Sequence, residues 1–526
     1  MQTPVGPFDF VREGGLILLW ILVGITFGGL IASPVGQKLG AVIRGGTRLL
    51  RPGRLVGFLV FSYFGLWVTL SYLRHASFHS HAYDLGILAQ TMWNTVNGRP
   101  FATTVMFEYT SNLLAHHFSP ILLLIAPLYA VWPHPETLLV VQTAALALAI
   151  VPVYRIGRRF GGDAAGLGLA AAYWLYPPVH YVNLFDFHEI ALAVPLLAFA
   201  LDAFLGDRPR LGAVFVALAL LTREEVGIVT AGVGVWLFAR GRRTWGLSLA
   251  VAGVAWAAAT IGWLAPALAG TGKYYYVRRY EWLGDSPPEM AATILTRPDY
   301  VAGGLLTRER LDFLLRLFLP LGLLPLLGPE VLVLSLPSFG YLLLSNYREQ
   351  YELANQYSAV VIPWLVGAAG AGIARLLSWR VRPAVLLGLL LGAAVGAYLA
   401  YGPGPLGGRF RPEEFALNAH VQVGRELLRL IPRHASVSAQ SDLVPHLTDR
   451  EHLYTFPNLF GADYIIVDTT ASPWPFKPEE FRRFLDRIDR NPAWRLLTAR
   501  DGYRIYRRSG AFVSGSVPEP DAPADY

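Results

Sequence analysis

The sequence predicts a mainly α-helical, polytopic membrane protein with a small α/β module at its C-terminal end. Three observations carry that reading. Of the 526 residues, 54% are hydrophobic and only 15% charged, against about a quarter charged in a soluble globular chain. The mean hydropathy is +0.41. Apolar runs near the length of a membrane helix recur from residue 15 to residue 401. After Tyr401 they stop, and a Gly/Pro stretch, YGPGPLGGRFRP, leads into alternating helix and strand patterns.

Each element follows in order. About 12 spans are expected, with ends uncertain by several residues: near 15–33, 55–73, 137–154, 163–178, 189–206, 210–222, 225–239, 245–268, 311–327, 329–345, 357–376 and 383–401. The first has no basic start followed by a small-residue cleavage site, so it reads as a retained span. Several runs are short for a bilayer core of roughly 30 Å, which suits helices lining a buried or wet cavity. The segment 117–132, HFSPILLLIAPLYAVW, reads as interfacial or re-entrant, because a full crossing would move Arg155, Arg158 and Arg159 to the other face.

Basic residues set the orientation. The loop 34–54, the cluster Arg155/Arg158/Arg159, Arg208/Arg210, Arg240/Arg242/Arg243 and Arg375/Arg380/Arg382 all fall on one side, assigned as cytoplasmic. The transmembrane domain is therefore 1–401, with large external loops at 74–118 and 269–310, and the expected location is the plasma membrane. Residues 402–411 form a linker, 412–510 a soluble external α/β domain and 511–526 a disordered tail. Within the module, 412–431 reads as an amphipathic helix, 435–439 and 463–468 as strands, and 477–490 as a charged helix. Residues 494–508 read as a hairpin turning at Asp501-Gly502.

Composition excludes several functions. With no cysteine, the chain has no disulfide, thiolate zinc site, iron–sulfur cluster or cysteine nucleophile. The net charge of +7 does not point to nucleic acid, because the arginines lie largely in short loops between spans. Lipid is the expected partner.

The polar residues of the external segments carry the chemistry. Ionisable groups at membrane depth are costly and are functional candidates by default. Asp84 opens the run DLGILAQTMW and reads as a helix N-cap. It is also a carboxylate facing a cavity, able to take a proton from a hydroxyl or to hold a divalent cation. In FDFHE, Asp186, His188 and Glu189 suit a divalent metal such as Mg or Mn, a His–carboxylate proton relay, or an ordinary hydrogen-bonded rim. Of His116 and His117, which cannot both point one way on a helix, one at most is functional. In TREE, Arg223 with Glu224 and Glu225 is either a neutralised ion-pair group or an arginine for phosphate held by carboxylates. The stretch KYYYVRRYEW joins Lys273, Arg278 and Arg279 to tyrosines, as a lipid-contacting belt or as a site for a lipid-linked phosphate.

These residues, in this order, resemble a large prokaryotic family of polytopic membrane proteins known as a domain of unknown function. The resemblance rests on YDLGILAQTMWNTVNGRPF, HHFSPILLLIAPLYAVWPHPETLLVVQT, YPPVHYVNLFDFHEIALAVPLLAFA, LTREEVGI, NQYSAVVIPWL and, in the module, IPRHASVSAQSDLVPHLTDREHLYTFP with DYIIVD. It covers about residue 57 to 508. That family in turn is similar to a branch of the GT-C glycosyltransferases, a superfamily that includes protein O-mannosyltransferases and the lipid A aminoarabinose transferase. The resemblance implies a GT-C-like fold and a polyprenyl-phosphate sugar donor. The acceptor is left undefined as lipid, glycan or protein. It also implies a catalytic aspartate at Asp84 and catalytic or metal-binding roles for Asp186, His188 and Glu189. Substrate contacts would come from Arg223, Glu224, Lys273, Arg278, Arg279, Tyr357 and His117. One departure is Gln356-Tyr357, where the family pattern often has a histidine before the tyrosine, so no histidine role carries over there.

Two other classes compete. A transporter or flippase requires charges near mid-membrane and paired broken helices; here the charges gather at one edge and no inverted repeat is visible. A non-catalytic envelope scaffold would keep the shape without an open external face.

Overall fold

The computed structural model describes residues 5–34, 51–106, 111–270, 272 and 274–509. The expectations at Lys273, in the loop from Lys38 to Arg48 and in the tail 511–526 lie outside these residues. The chain folds as two compact units that do not follow its linear order. One holds the residues up to Leu70, His117–Ile121 and Val141–Arg411; the other holds Ser71–His116, Leu122–Val140 and the chain from Pro412 onward.

The first unit is helical. Among the described residues of the whole chain, five helices have the length and composition to cross a membrane, and five apolar helices of 10–17 residues are shorter. About 12 spans were expected from the runs alone. Two helix pairs pack backbone to backbone. Gly15–Ala32 lies against Pro383–Tyr401, where a Cβ on Gly24 would stand 2.1 Å from the Gly388 carbonyl oxygen and one on Gly28 2.2 Å from that of Ala384. Val226–Ala239 meets Arg243–Ala259 in the same manner at Gly234 and Gly253. Small residues four apart let helices approach this closely without side chains between them.

The boundary near 155–162 falls where the basic pattern requires it. Helix Ile150–Trp174 is broken at Gly161 and Gly162, the latter at φ 76°. Gly157 and Gly166 would be roughly 13 Å apart on a continuous helix, yet a Cβ on Gly157 would lie 2.9 Å from the Gly166 Cα. The chain therefore reverses there. Asp202, on helix Ala193–Leu205, draws the basic clusters together. It accepts from Arg159 Nε at 3.0 Å and Arg208 Nη2 at 3.2 Å, with Arg155 at 3.8 Å. Arg242 pairs with the neighbouring Asp207. Three of the basic groups used for orientation thus converge on one side.

The run expected as spans 311–327 and 329–345 is a series of short pieces. Helix Arg308–Phe318 gives way to single turns at Leu319–Leu321 and Leu324–Leu327, then Pro329–Leu332 and Leu336–Leu343. Prolines 320, 325, 329 and 337 remove amide donors and interrupt the ladder.

In the second unit, β1 (Val437–Ala439), β2 (Leu453–Thr455), β3 (Tyr464–Asp468), β4 (Trp494–Arg500) and β5 (Tyr503–Arg508) form one sheet in the order β2-β1-β3-β5-β4. β1 is parallel to β2 and β3, whereas β5 is antiparallel to β3 and β4. The hairpin turns at Asp501-Gly502, both at positive φ (52° and 87°), as an Asp-Gly turn favours. Helix Pro478–Arg490 buries Phe481, Phe484, Leu485 and Ile488, a spacing of three, four and seven, against Ile465, Val467 and Tyr506. Strand β2 was absent from the expected set: three residues offer too little alternation to register.

Residues 71–116 fold with this module. His81 Nδ1 meets Asp442 Oδ1 at 2.8 Å. Gln90 donates to the carbonyls of Arg450 and Glu451. Thr104 Oγ1 donates to Leu453 O and accepts from Leu453 N, both at 2.8 Å, which covers the free edge of β2.

Candidate functional site

Most of the polar residues singled out in the first unit lie in connections between helices, and five connections bring them together. The turn after helix Pro209–Leu220 carries Arg223, Glu224 and Glu225. The stretch 117–121 carries His117 and Ser119, tied to that turn by Ile121 N donating to Leu221 O at 2.9 Å. Glu189 begins the short turn Glu189–Leu192. Tyr276 and Arg279 lie on the turn Tyr275–Tyr280, fixed by Asn346 N donating to Arg279 O at 2.8 Å. Tyr357 lies on Gln356–Val360.

Glu224 is the acceptor at the centre. His117 Nδ1 donates to its Oε1 at 2.9 Å, Phe118 N to its Oε2 at 2.8 Å, and the Tyr274 hydroxyl to Oε1. Nε2 of His117 faces Arg223 Nη2 and, at 3.0 Å, the Tyr276 hydroxyl. Arg223 Nε also reaches Nδ1, at 3.2 Å, so two guanidinium nitrogens face the ring and favour its neutral form. Burial, and then the Arg223 charge, lower its pKa in agreement. Burial acts to raise Glu224, but His117, Arg223 and Tyr274 overcome it and hold the carboxyl ionised.

Arg223 is 2% exposed. Its Nε lies 3.5 Å from Glu189 Oε1 and 3.6 Å from Glu225 Oε1. Ser119 donates to Glu189 Oε1 at 3.1 Å. Nη1 of Arg223 is buried and has no hydrogen-bond partner. Burial pushes Glu225 up to about 7, opposed by Arg223 and reinforced by Glu224.

Arg279 is held differently. Its guanidinium lies 4.1 Å from the centre of the Tyr276 ring, 4.2 Å from Tyr347 and 5.9 Å from Tyr357. The opposite neighbour of Tyr276 in the stack is His117, at 4.7 Å between centroids and 9° between planes. Among the described residues no carboxylate pairs with Arg279. Arg278 is exposed and lies 4.1 Å from the Tyr275 ring centre, outside this group.

Asp186, His188 and Glu189 do not act as one set. Asp186 adopts a positive φ of 48°, an uncommon geometry that Asp tolerates. That bend presents its carbonyl to Gln142 Nε2 at 2.6 Å. His188 N donates to Gln142 Oε1 at 2.8 Å, and the His188 ring stacks on Phe185 with Nδ1 against Phe185 O at 3.0 Å. Only Glu189 faces Arg223. Among the described residues no three His, Asp or Glu side chains converge as metal ligands. Sequence reasoning missed Gln142, which organises this corner. Its signal is a lone amide in the apolar run LLVVQTAALAL. Tyr274, Tyr276 and Ser119 were likewise unassigned.

Asp84 lies in the second unit and is half-buried. The N-cap position belongs to His81, and Asp84 is inside the first turn of Ala82–Gly86, which continues into helix Ile87–Val96. The expected cap is thus corrected: the chain turns helical three residues earlier than the apolar pattern. A carboxylate in the first turn still has the favourable end of the helix dipole.

Fold and site together define a helical membrane protein with a buried Arg/Glu/His/Tyr group and an appended α/β module. Residues 74–505 match the predicted membrane proteins of DUF2079, and the chain belongs to that family. No curated protein matches it in sequence. Among solved structures, it is similar to ArnT from Cupriavidus metallidurans bound to undecaprenyl phosphate, at 13% identity over 89% of this chain and 99% of that one, with a TM-score of 0.49. It is similar to the oligosaccharyltransferase of Archaeoglobus fulgidus in the apo form, at 13% identity over 79% of this chain and 69% of that one, with a TM-score of 0.42.

Proposed function

We propose that the protein is a glycosyltransferase of the plasma membrane that moves a sugar from a polyprenyl-phosphate donor to an acceptor hydroxyl at the external face. The observation that carries this reading is Arg279, a guanidinium clothed by tyrosine rings and without a carboxylate partner among the described residues. Ring faces orient the cation and leave its N–H edge for a phosphate, which arginine binds in a bidentate manner. In the reaction the acceptor oxygen attacks the anomeric carbon and gives its proton to a general base, the role the sequence pattern offers for Asp84. The bond from that carbon to the phosphate oxygen breaks, and the lipid phosphate leaves with the electron pair, its charge stabilised by Arg279. The products are an inverted glycoside and the polyprenyl phosphate.

The test is turnover in proteoliposomes supplied with a panel of polyprenyl-phosphate sugars. Wild type consumes at least one donor. Asp84→Asn lowers turnover by 100-fold or more, the scale of a lost general base, while thermal unfolding stays unchanged. Arg279→Gln raises the donor concentration needed for half-maximal rate at least tenfold. Full turnover in Asp84→Asn removes the base assignment, and no consumption of any donor removes the function.

A further inference from the structure

Arg223, which is buried, and Arg279, which is half-buried, differ in their electrostatic surroundings, and the difference assigns them different ligands. The Arg279 guanidinium stands against the rings of Tyr276, Tyr347 and Tyr357, with the Arg223 charge also near it. Arg223 faces Glu189 at 3.5 Å and Glu225 at 3.6 Å, and Glu224 adds a third carboxylate next to it. The carboxyl groups around Arg223 outnumber it, and Glu224 is held ionised, so a phosphate brought there is attracted less than at Arg279, which has ring faces around it. Yet its Nη1 is buried and without a partner, and an unmet buried guanidinium donor is costly. The matching ligand is neutral and offers an oxygen acceptor.

A hydroxyl meets both requirements. Its oxygen accepts from Arg223 Nη1 and its hydrogen is donated to a carboxylate beside that arginine. Glu225, with 18% of its side chain exposed, is the least enclosed of the Arg223 carboxylates. Glu189 is fixed by Ser119, and Glu224 is saturated by His117, Phe118 N and Tyr274. We infer that Arg223 and Glu225 form the subsite for a sugar hydroxyl of the donor, whereas the lipid phosphate belongs to Arg279. This rests on the glycosyltransferase reading and deepens it. The phosphate role expected for Arg223 in TREE is replaced by recognition of the sugar.

Binding separates the two roles without turnover. The probes are decaprenyl phosphate, which has no sugar, and decaprenyl-phosphoryl mannose and arabinose, measured against the purified full chain in detergent. Wild type binds at least one glycosylated lipid at least tenfold more tightly than decaprenyl phosphate. Glu225→Gln retains decaprenyl phosphate affinity within twofold and loses most of that preference. Arg223→Gln does the same if its thermal unfolding is intact; if it is not, Glu225→Gln and Glu225→Ala decide. Arg279→Gln weakens all three lipids alike. The inference is overturned if the Glu225 variants keep the full preference for the sugar, or if folded Arg223→Gln loses decaprenyl phosphate as strongly as Arg279→Gln does; in both cases the glycosyltransferase reading stands. Wild type that binds none of the lipids overturns both.

Discussion

Arg223 is one guanidinium among three carboxylates, and the balance of that group sets what each substitution does. Glu224 is the acceptor for His117, for Phe118 N and for Tyr274. Glu224→Ala therefore strands three donors and removes one counter-charge from Arg223. Breaking a buried charged contact from one side costs about 3–5 kcal/mol, which thermal unfolding in detergent reads as a lower Tm. Glu224→Gln keeps an oxygen acceptor and costs less. Glu225 gives a pH dependence of definite sign. Its carboxyl ionises at 4.5 when unperturbed and at about 7 in the fold, so between those values the native state holds a proton that the unfolded chain has released. The stabilisation is fully present below about pH 4.5 and is lost as the pH rises through about 7. Wild type loses stability across that window relative to Glu225→Gln, and Tm measured along a pH series checks it. Equal slopes for the two proteins would remove the proton from Glu225.

At the scale of elements, the glycine seam between Gly15–Ala32 and Pro383–Tyr401 leaves no room for a side chain. A Cβ on Gly388 would lie 2.0 Å from Gly24 O, while one on Gly29 would meet nothing within 4 Å. Gly388→Leu forces the backbones apart and costs about 1–3 kcal/mol or more. Gly29→Leu, on the same pair of helices, leaves Tm within about 1 °C. The seam is readable as Gly24/Gly28 and Gly388/Gly392/Gly396, four residues apart, although which helices would pair is not. The same holds for much of the fold. Long apolar runs, the Asp501-Gly502 hairpin and the charged helix Pro478–Arg490 stand out because each follows one simple period. The broken stretch 319–343 is largely apolar, with Glu330 its one charge, so hydropathy reads it as spans, and its prolines mark the interruptions. At the site, TREE and RRY were legible as charges out of place, but pairing His117 with Glu224, 107 residues later, depends on packing no local pattern encodes. Asp186 and His188 stood out for the same reason as Glu189, yet the bend at Asp186 turns its carbonyl and the His188 amide to the Gln142 side chain and the His188 ring to Phe185 O.

At the scale of the whole molecule, the helix that carries Asp84 at its start is supported by residues more than 300 positions away. Gln90 is bonded to Arg450 O at 3.3 Å and Glu451 O at 3.1 Å, and Thr455 Oγ1 donates to Val105 O at 3.0 Å. Truncation after Arg411 removes these partners. Amide exchange across Ile87–Val96 then speeds by at least tenfold, while the seam between Gly15–Ala32 and Pro383–Tyr401 keeps its protection. Unchanged exchange across Ile87–Val96 would mean that the helix stands without the C-terminal module.

That interleaving has a consequence for how the protein is made. Residues 71–116 leave the ribosome early, but the strands and carbonyls that complete their unit lie between 437 and 508. Throughout the synthesis of every intervening helix, the Asp84 segment waits without its final partners. Nascent chains released between about residue 411 and about residue 508 hold the helical unit and lack the finished second unit. Completion of the last strand is therefore the step that gives the Asp84 segment its final partners.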